Sequence, residues 1–419
     1  MINSALAALI GLLLAIFLII KKVHPVYGMM LGALVGGLLG GLNLTETLAA
    51  ITSGVRDIVP AVLRILAAGV LSGALIKSGA AASLSGHIVR GLGEKNTYLA
   101  IALSTMILSC AGVFVDIAVI TVAPIALMLV ARNNVSLPRI FVAMTGGAKC
   151  GNIMSPNPNT IAASDNLGAG LSQVMGAGVV PGIVGLAVLV FVILPLIPDK
   201  KFHAVRLPES EQGDGKNPSL FASLSGPLFA ILLLALRPVA GIVIDPFIAL
   251  PAGGIVTILA TRDWKNAGES VRYGLEKMSG VAVLLIGTGA IAGIIKNSTI
   301  NDWLASVLSS GSGGVNGLLL YPLAGILMAG ATASTTAGAT IASSSFAGVL
   351  GTSGVSAVQA ASMINAGATV IDHLPHGSFF HATGGAAGLS FKERLSLVPF
   401  EALTGLVLTL GTIAWSAIF

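Results

Sequence analysis

Charge is what this sequence has least of. Only 9% of its 419 residues are Asp, Glu, Lys or Arg, and aromatics make up 5%. A soluble chain of this size covers its surface with about a quarter charged residues, so a soluble globular fold is excluded. Cysteine is nearly absent as well. Cys110 and Cys150 both lie in apolar stretches, with no CxxC pair, so neither a disulfide framework nor a thiol-based metal site is expected. The apolar run Asn3 to Ile20 has no basic segment before it, since Lys21 and Lys22 follow it, and no small-residue cleavage site. It is read as a retained first span. The formal charge of +5 does not gather into a patch for nucleic acid, and its meaning lies in where the positives fall.

What the sequence does have is long apolar runs and glycine: 55% hydrophobic residues and 53 glycines. This composition points to an all-α polytopic membrane protein whose helices pack closely through small residues. Uninterrupted runs occur at 5–20, 26–42, 58–76, 178–197, 219–236, 240–260, 279–295 and 398–418. Two longer stretches, 137–176 and 355–390, carry polar breaks and are read as discontinuous helices. Two others, 96–131 and 316–350, have apolar halves of about 14 residues, short of the ~20 a crossing needs, and are read as re-entrant hairpins. The expectation is about ten spanning helices, two of them discontinuous, plus two hairpins.

Positive charge tests this layout. With both termini outside, seventeen of the 22 Lys and Arg residues are cytoplasmic. Three (Arg56, Arg237, Lys296) fall outside, and Arg64 and Lys149 lie at membrane depth. An internal match supports the same layout. Gly69-Val-Leu-Ser-Gly73 corresponds to Gly289-Ala-Ile-Ala-Gly293, the tip at Gly112 to Gly330, and the break at Pro156 to Pro375. The domain reading is a first repeat 1–198, a charged cytoplasmic linker 199–217, and a second, inverted repeat 218–419, the plan of secondary transporters with a site where the breaks meet. The segment 261–277 alternates charged and apolar residues and is expected to be an interfacial amphipathic helix.

The segment Gly93-Glu-Lys-Asn96, the acid-bearing hairpin VDIAVITVAPIALML, the SPNPN break and the late AGATVIDHLPHGSFF segment resemble the gluconate permease (GntP-type) family of the ion-transporter superfamily. The resemblance covers nearly the whole chain. It implies import of a small organic or sugar acid, usually with protons, by a homodimer with an elevator-like movement. The chain departs from the family pattern at Ser155-Pro-Asn-Pro-Asn159 and Asp372-His-Leu-Pro-His376, so a hydroxy acid other than gluconate is equally accommodated.

At the first break, half-helix N-termini favour an anion. Asn152, Ser155, Asn157, Asn159 and Thr160 offer neutral donors and acceptors for hydroxyls and a carboxylate, or else cap the broken helix. Lys149 is the anion-binding candidate by charge; it either meets the substrate, pairs with Asp116 or Asp372, or snorkels toward the cytoplasm. The second half supplies His373, His376 and Ser378 at its break and Ser334, Thr335 and Thr336 at its hairpin tip. Asp116, Asp372 and His376 are the candidate proton carriers, because a carboxylate in an apolar helix is costly when ionised and histidine titrates near neutrality. A packed, hydrogen-bonded role is the alternative for His381, and a structural partner for Arg64 or Lys149, or a Na+ ligand, for Asp116. The spacing of His373, His376 and His381 matches no standard zinc arrangement, and no metal or other cofactor is expected. The partners expected are a small carboxylate, membrane lipids and a second copy of the chain, in a bacterial-type inner membrane. Three functions compete: a proton-coupled organic-acid symporter, a Na+-coupled di- or tricarboxylate transporter, and, least favoured, an intramembrane hydrolase. No recognisable nucleophile or metal motif supports an enzyme.

Overall fold

The computed structural model describes residues 4–21, 23–93, 96–133, 135–198, 218–240, 242, 244–299, 315–375 and 377–418. Every regular element among them is helical. The expected linker 199–217 and His376 lie outside the described residues. Four helices are long and apolar enough to cross a membrane: Leu44–Lys77, Leu171–Leu196, Trp264–Lys296 and Phe391–Ile418. Six shorter apolar helices stand beside them among the described residues. Pro25–Leu39 and Pro246–Ala260 have 15 residues each, about 22 Å of helix at 1.5 Å per residue, against a ~30 Å hydrocarbon core.

Two boundaries show why hydropathy alone misjudged the long helices. The Asn43 side chain accepts the Glu46 N–H and the Glu46 carboxylate accepts the Asn43 N–H, both at 2.9 Å. This capping box starts the helix at Leu44, fourteen residues before the apolar run at 58–76, so the polar stretch Thr45 to Asp57 is helical too. The expected interfacial helix 261–277 is likewise no separate element. After a 3₁₀ turn at Trp264–Asn266 it forms the first turns of the continuous helix Ala267–Lys296. Lys77 Nζ reaches Glu269 Oε1 at 2.7 Å and ties the end of one long helix to the start of the other.

The long pair crosses through glycine. A methyl group on Gly54 would strike the backbone of Gly289 and Gly293, and one on Gly274 the backbone of Gly69. Early residues of one helix therefore face late residues of the other, so the two run antiparallel. Gly54, Gly69 and Gly73 stand 220 residues before Gly274, Gly289 and Gly293. The contacts exchange under that shift, which is what a local two-fold axis perpendicular to both helices produces. Gly54→Ala is expected to lower stability by about 1–3 kcal/mol through overpacking. Thermal unfolding in detergent checks this, with Gly268→Ala, where nothing lies within 4 Å of the added carbon, as the neutral control.

The same 220-residue period governs the later helices. Those beginning at Val115, Leu137, Pro158 and Leu171 are followed by ones beginning at Thr335, Ala357, Ser378 and Phe391. Each hairpin turns on a left-handed residue, Gly112 at φ 96° and Ala333 at φ 46°. Gly330, matched to Gly112 from sequence, lies within the helix Val315–Thr332. The turn falls on an alanine that tolerates a strained φ, which no glycine pattern reveals. The first discontinuous helix runs Leu137–Asn152 and Pro158–Leu167, and the second Ala357–Gly367 and Ser378–Ala386. The ends expected at 176 and 390 fall instead in the next helix, which starts at Leu171, and in the link before Phe391. Glycines back both breaks: a methyl on Gly178 would meet Ile153 O, and one on Gly405 would meet Thr369 O.

Candidate functional site

The two breaks meet at Lys149. This lysine ends the helix Leu137–Asn152, whose last dozen residues are all buried, and it is itself fully buried. Its ammonium has three protons and three partners: Thr369 O at 2.5 Å, Asp372 Oδ1 at 2.7 Å and His373 Nδ1 at 2.8 Å. His373 Nε2 lies 3.0 Å from Val398 O, a carbonyl that can only accept, so Nε2 donates, while Nδ1 lies within reach of both Lys149 Nζ and, at 2.9 Å, Asp372 Oδ1. The other oxygen of Asp372 accepts from Thr335 Oγ1 at 2.5 Å. Break one, break two and the second hairpin tip are joined through one saturated cation. Among the partners weighed from sequence, Asp372 is the one found; Lys149 neither snorkels nor meets Asp116.

A second polar chain lies beside it. Asn159 Nδ2 donates to Asn365 Oδ1 at 2.6 Å, and Asn365 Nδ2 donates to Thr160 Oγ1 at 3.1 Å. Asn157 Nδ2 donates to Asn152 Oδ1 at 2.8 Å, while Ser155 Oγ donates to Asn152 O at 2.9 Å. All of these residues are buried. Asn157 Oδ1 and Ser109 Oγ, also buried, have no hydrogen-bond partner. The restart at Pro158 is not capped by a side chain, although Asn157 occupies the N-cap position. The asparagines thus spend their donors on one another and across the break, leaving an acceptor on Asn157 unsatisfied.

The hairpin tips are more open. Ser334, Thr335 and Thr336 are half-buried; Ser334 Oγ accepts the Ala337 N–H and caps its helix. Asp116 is half-buried in the first turn of Val115–Asn133, where its Oδ1 accepts the Ile117 N–H at 2.9 Å. Its proposed partner Arg64 is engaged elsewhere. Ser378 begins the helix Ser378–Ala386. His381 is exposed and hydrogen-bonded, with Nε2 2.8 Å from Pro375 O.

Four polar residues of the interior escaped the sequence reading. Asn365 sits in an apolar run, 206 residues after Asn159 and so off the 220-residue period, and nothing in the sequence marks it. Arg394, counted with the cytoplasmic charges, is buried and bonded to Glu401, its guanidinium held between the rings of Phe141 and Phe380 at 4.7 and 4.8 Å from their centroids. Asp165, near the end of the helix Pro158–Leu167, pairs with Arg64, which also binds Asp245 through Nε at 3.1 Å and Nη2 at 2.7 Å. A cavity of about 380 Å³ opens at this helix end, lined by Asp57, Asp165, Asn166, Lys296, Ser344 and Ser345 among others. A smaller one of about 90 Å³ lies on the other side of Asp165, against Arg64 and Asp245.

The model of the GntP family permeases matches residues 3–418. The chain belongs to the GntP permease family. It is 50% identical, over 97% of its length and 96% of the relative's, to an uncharacterized transporter of Haemophilus influenzae. A D-serine transporter of Escherichia coli is 22% identical over 72% of this chain and 73% of its own. Among solved structures, the YdaH transporter of Alcanivorax borkumensis aligns with a TM-score of 0.58 at 17% identity, covering 90% of this chain and 87% of that one. The family and the apolar helices together make this GntP permease an integral membrane transporter, and the relatives are permeases rather than enzymes.

Proposed function

We propose that the protein is a proton-coupled symporter of a small carboxylate bearing hydroxyl or similar polar groups, working in a bacterial inner membrane. The observation that carries this reading is the buried cluster Lys149–Asp372–His373, three titratable side chains in mutual contact where two broken helices cross. A proton added there changes the charge of a dry site, and such a change biases any equilibrium between arrangements of the two breaks. Asn157 Oδ1, Asn152, Ser155, Asn159 and Thr160 supply the polar contacts for the solute, with Ser334, Thr335 and Thr336 of the second hairpin tip as the contribution of the other half. Lys149 meets a carboxylate only by giving up one of its three present partners. The D-serine named for one relative shares a carboxylate and a hydroxyl with such a solute and adds an ammonium group.

The antiparallel long helices and the 220-residue period support an inverted repeat, with its axis in the membrane plane. A homodimer with elevator-like movement follows from the family reading. The competing ion is Na+, which the oxygens of the breaks would also suit. Uptake into proteoliposomes under imposed pH or Na+ gradients decides between them, and dependence on Na+ alone removes the proton reading. Asp116→Asn is expected to abolish pH-gradient-driven accumulation while leaving part of the substrate-induced thermal stabilisation. Unchanged accumulation would take Asp116 out of the mechanism.

A further inference from the structure

Asp165 is a half-buried acid the reading above does not use, and its setting differs from those of Asp372 and Glu401. Asp372 accepts from Lys149 on one oxygen and Thr335 on the other, and both oxygens of Glu401 face Arg394. Asp165 holds Arg64 through Oδ1 only, and its buried Oδ2 has no hydrogen-bond partner. Arg64 gives Nε and Nη2 to Asp245, so one guanidinium serves two carboxylates and the triad carries one uncompensated negative charge. Asp165 also occupies the last turn of the helix Pro158–Leu167, where the carbonyl ends of the backbone repel an anion. The unpartnered oxygen is where a proton would reside.

Charged neighbours are few. Arg64 and Asp57 come from Leu44–Lys77, Asp245 precedes Pro246–Ala260, and Lys296, paired with Asp57 at 2.9 Å, closes Ala267–Lys296. The helices Leu171–Val188, Thr335–Phe346 and Ala357–Gly367 contain no Asp, Glu, Lys, Arg or His. Water and protons have a route, because Asp165 lines both cavities. Ser345, 5% exposed and with an unpartnered Oγ, faces the larger one.

We propose that Asp165 is a proton-binding site, and that its protonation releases the broken helix Pro158–Leu167 from Arg64 and opens the cavity at its end. Ionised, Asp165 latches the helix to Leu44–Lys77. Neutral, it leaves Arg64 to Asp245 alone. Its place in transport rests on the proton-coupled reading; its protonation and the latch do not.

Two measurements test this without a substrate. In pH-difference infrared spectra, the wild-type protein is expected to show a carboxylic-acid carbonyl band that Asp165→Asn removes and Asp116→Asn leaves in place. In a background of Cys110→Ala and Cys150→Ala, the Ser345→Cys thiol is expected to react several-fold faster with a small maleimide when Asp165→Asn is present, both compared at one neutral pH. Survival of the band in Asp165→Asn, or equal labelling rates, would overturn the proposal. Loss of the band together with faster labelling supports it. A wild-type protein driven by Na+ alone would instead sink the coupling reading and leave these two results to stand for themselves.

Discussion

Lys149→Met is expected to abolish uptake and to cost about 3–5 kcal/mol of stability, the loss typical of breaking a buried ion pair from one side. Methionine matches the lysine stem in length, so packing is nearly preserved and the effect is electrostatic. Three partners, Thr369 O, Asp372 Oδ1 and His373 Nδ1, lose the ammonium at once. Asp372 keeps the Thr335 hydroxyl but remains ionised without a cation in a site that water does not reach. Lys149→Met combined with Asp372→Asn removes both charges and is expected to regain most of the stability, while uptake stays absent. Denaturation in detergent and proteoliposome uptake read the two effects separately. If the double variant transported, the cluster would be structural only.

Arg394→Met is expected to be nearly as damaging, about 3–5 kcal/mol by the same physics, although Arg394 lies outside the breaks. Glu401 is fully buried seven residues along the same helix, and Arg394 answers both of its oxygens. The guanidinium also loses its place between Phe141 and Phe380, each such contact being worth about 0.5–2 kcal/mol. Arg394→Met with Glu401→Leu is expected to recover stability beyond either single variant, since a buried pair replaced by apolar residues is often neutral. Thermal unfolding of the four proteins closes the cycle, and additive losses would show that the pair does not interact.

The helical class, the two hairpins and the two breaks were legible because each leaves a local mark: apolar runs, paired short halves, and proline with asparagine at membrane depth. Lys149 and Asp372 were legible as charges that hydrocarbon tolerates only when paired. Helix lengths were not, since Asn43 and Glu46 start a helix by capping, with no apolar signal. The Asn159–Asn365 bond joins residues from opposite halves, and neutral amides in apolar runs carry no charge to draw notice. Arg394 beside Lys392 and Glu393 reads as part of a solvated loop, and only the fold shows it turned inward against Glu401. Asp165 was hidden in the same way, among the polar residues that end the first broken helix.

Lys149 and Thr369 are 220 residues apart, the spacing of the later helices, and they touch. They are therefore counterparts of one another, meeting where the two halves mirror. Were each half a separate chain paired with its own copy, the residue here would face itself. Two lysines would then crowd two ammonium groups into one dry space, and two threonines would leave Asp372 without its cation. A single chain whose halves differ in sequence places a cation on one side and a bare carbonyl on the other, so the asymmetry of the two halves is concentrated where they touch.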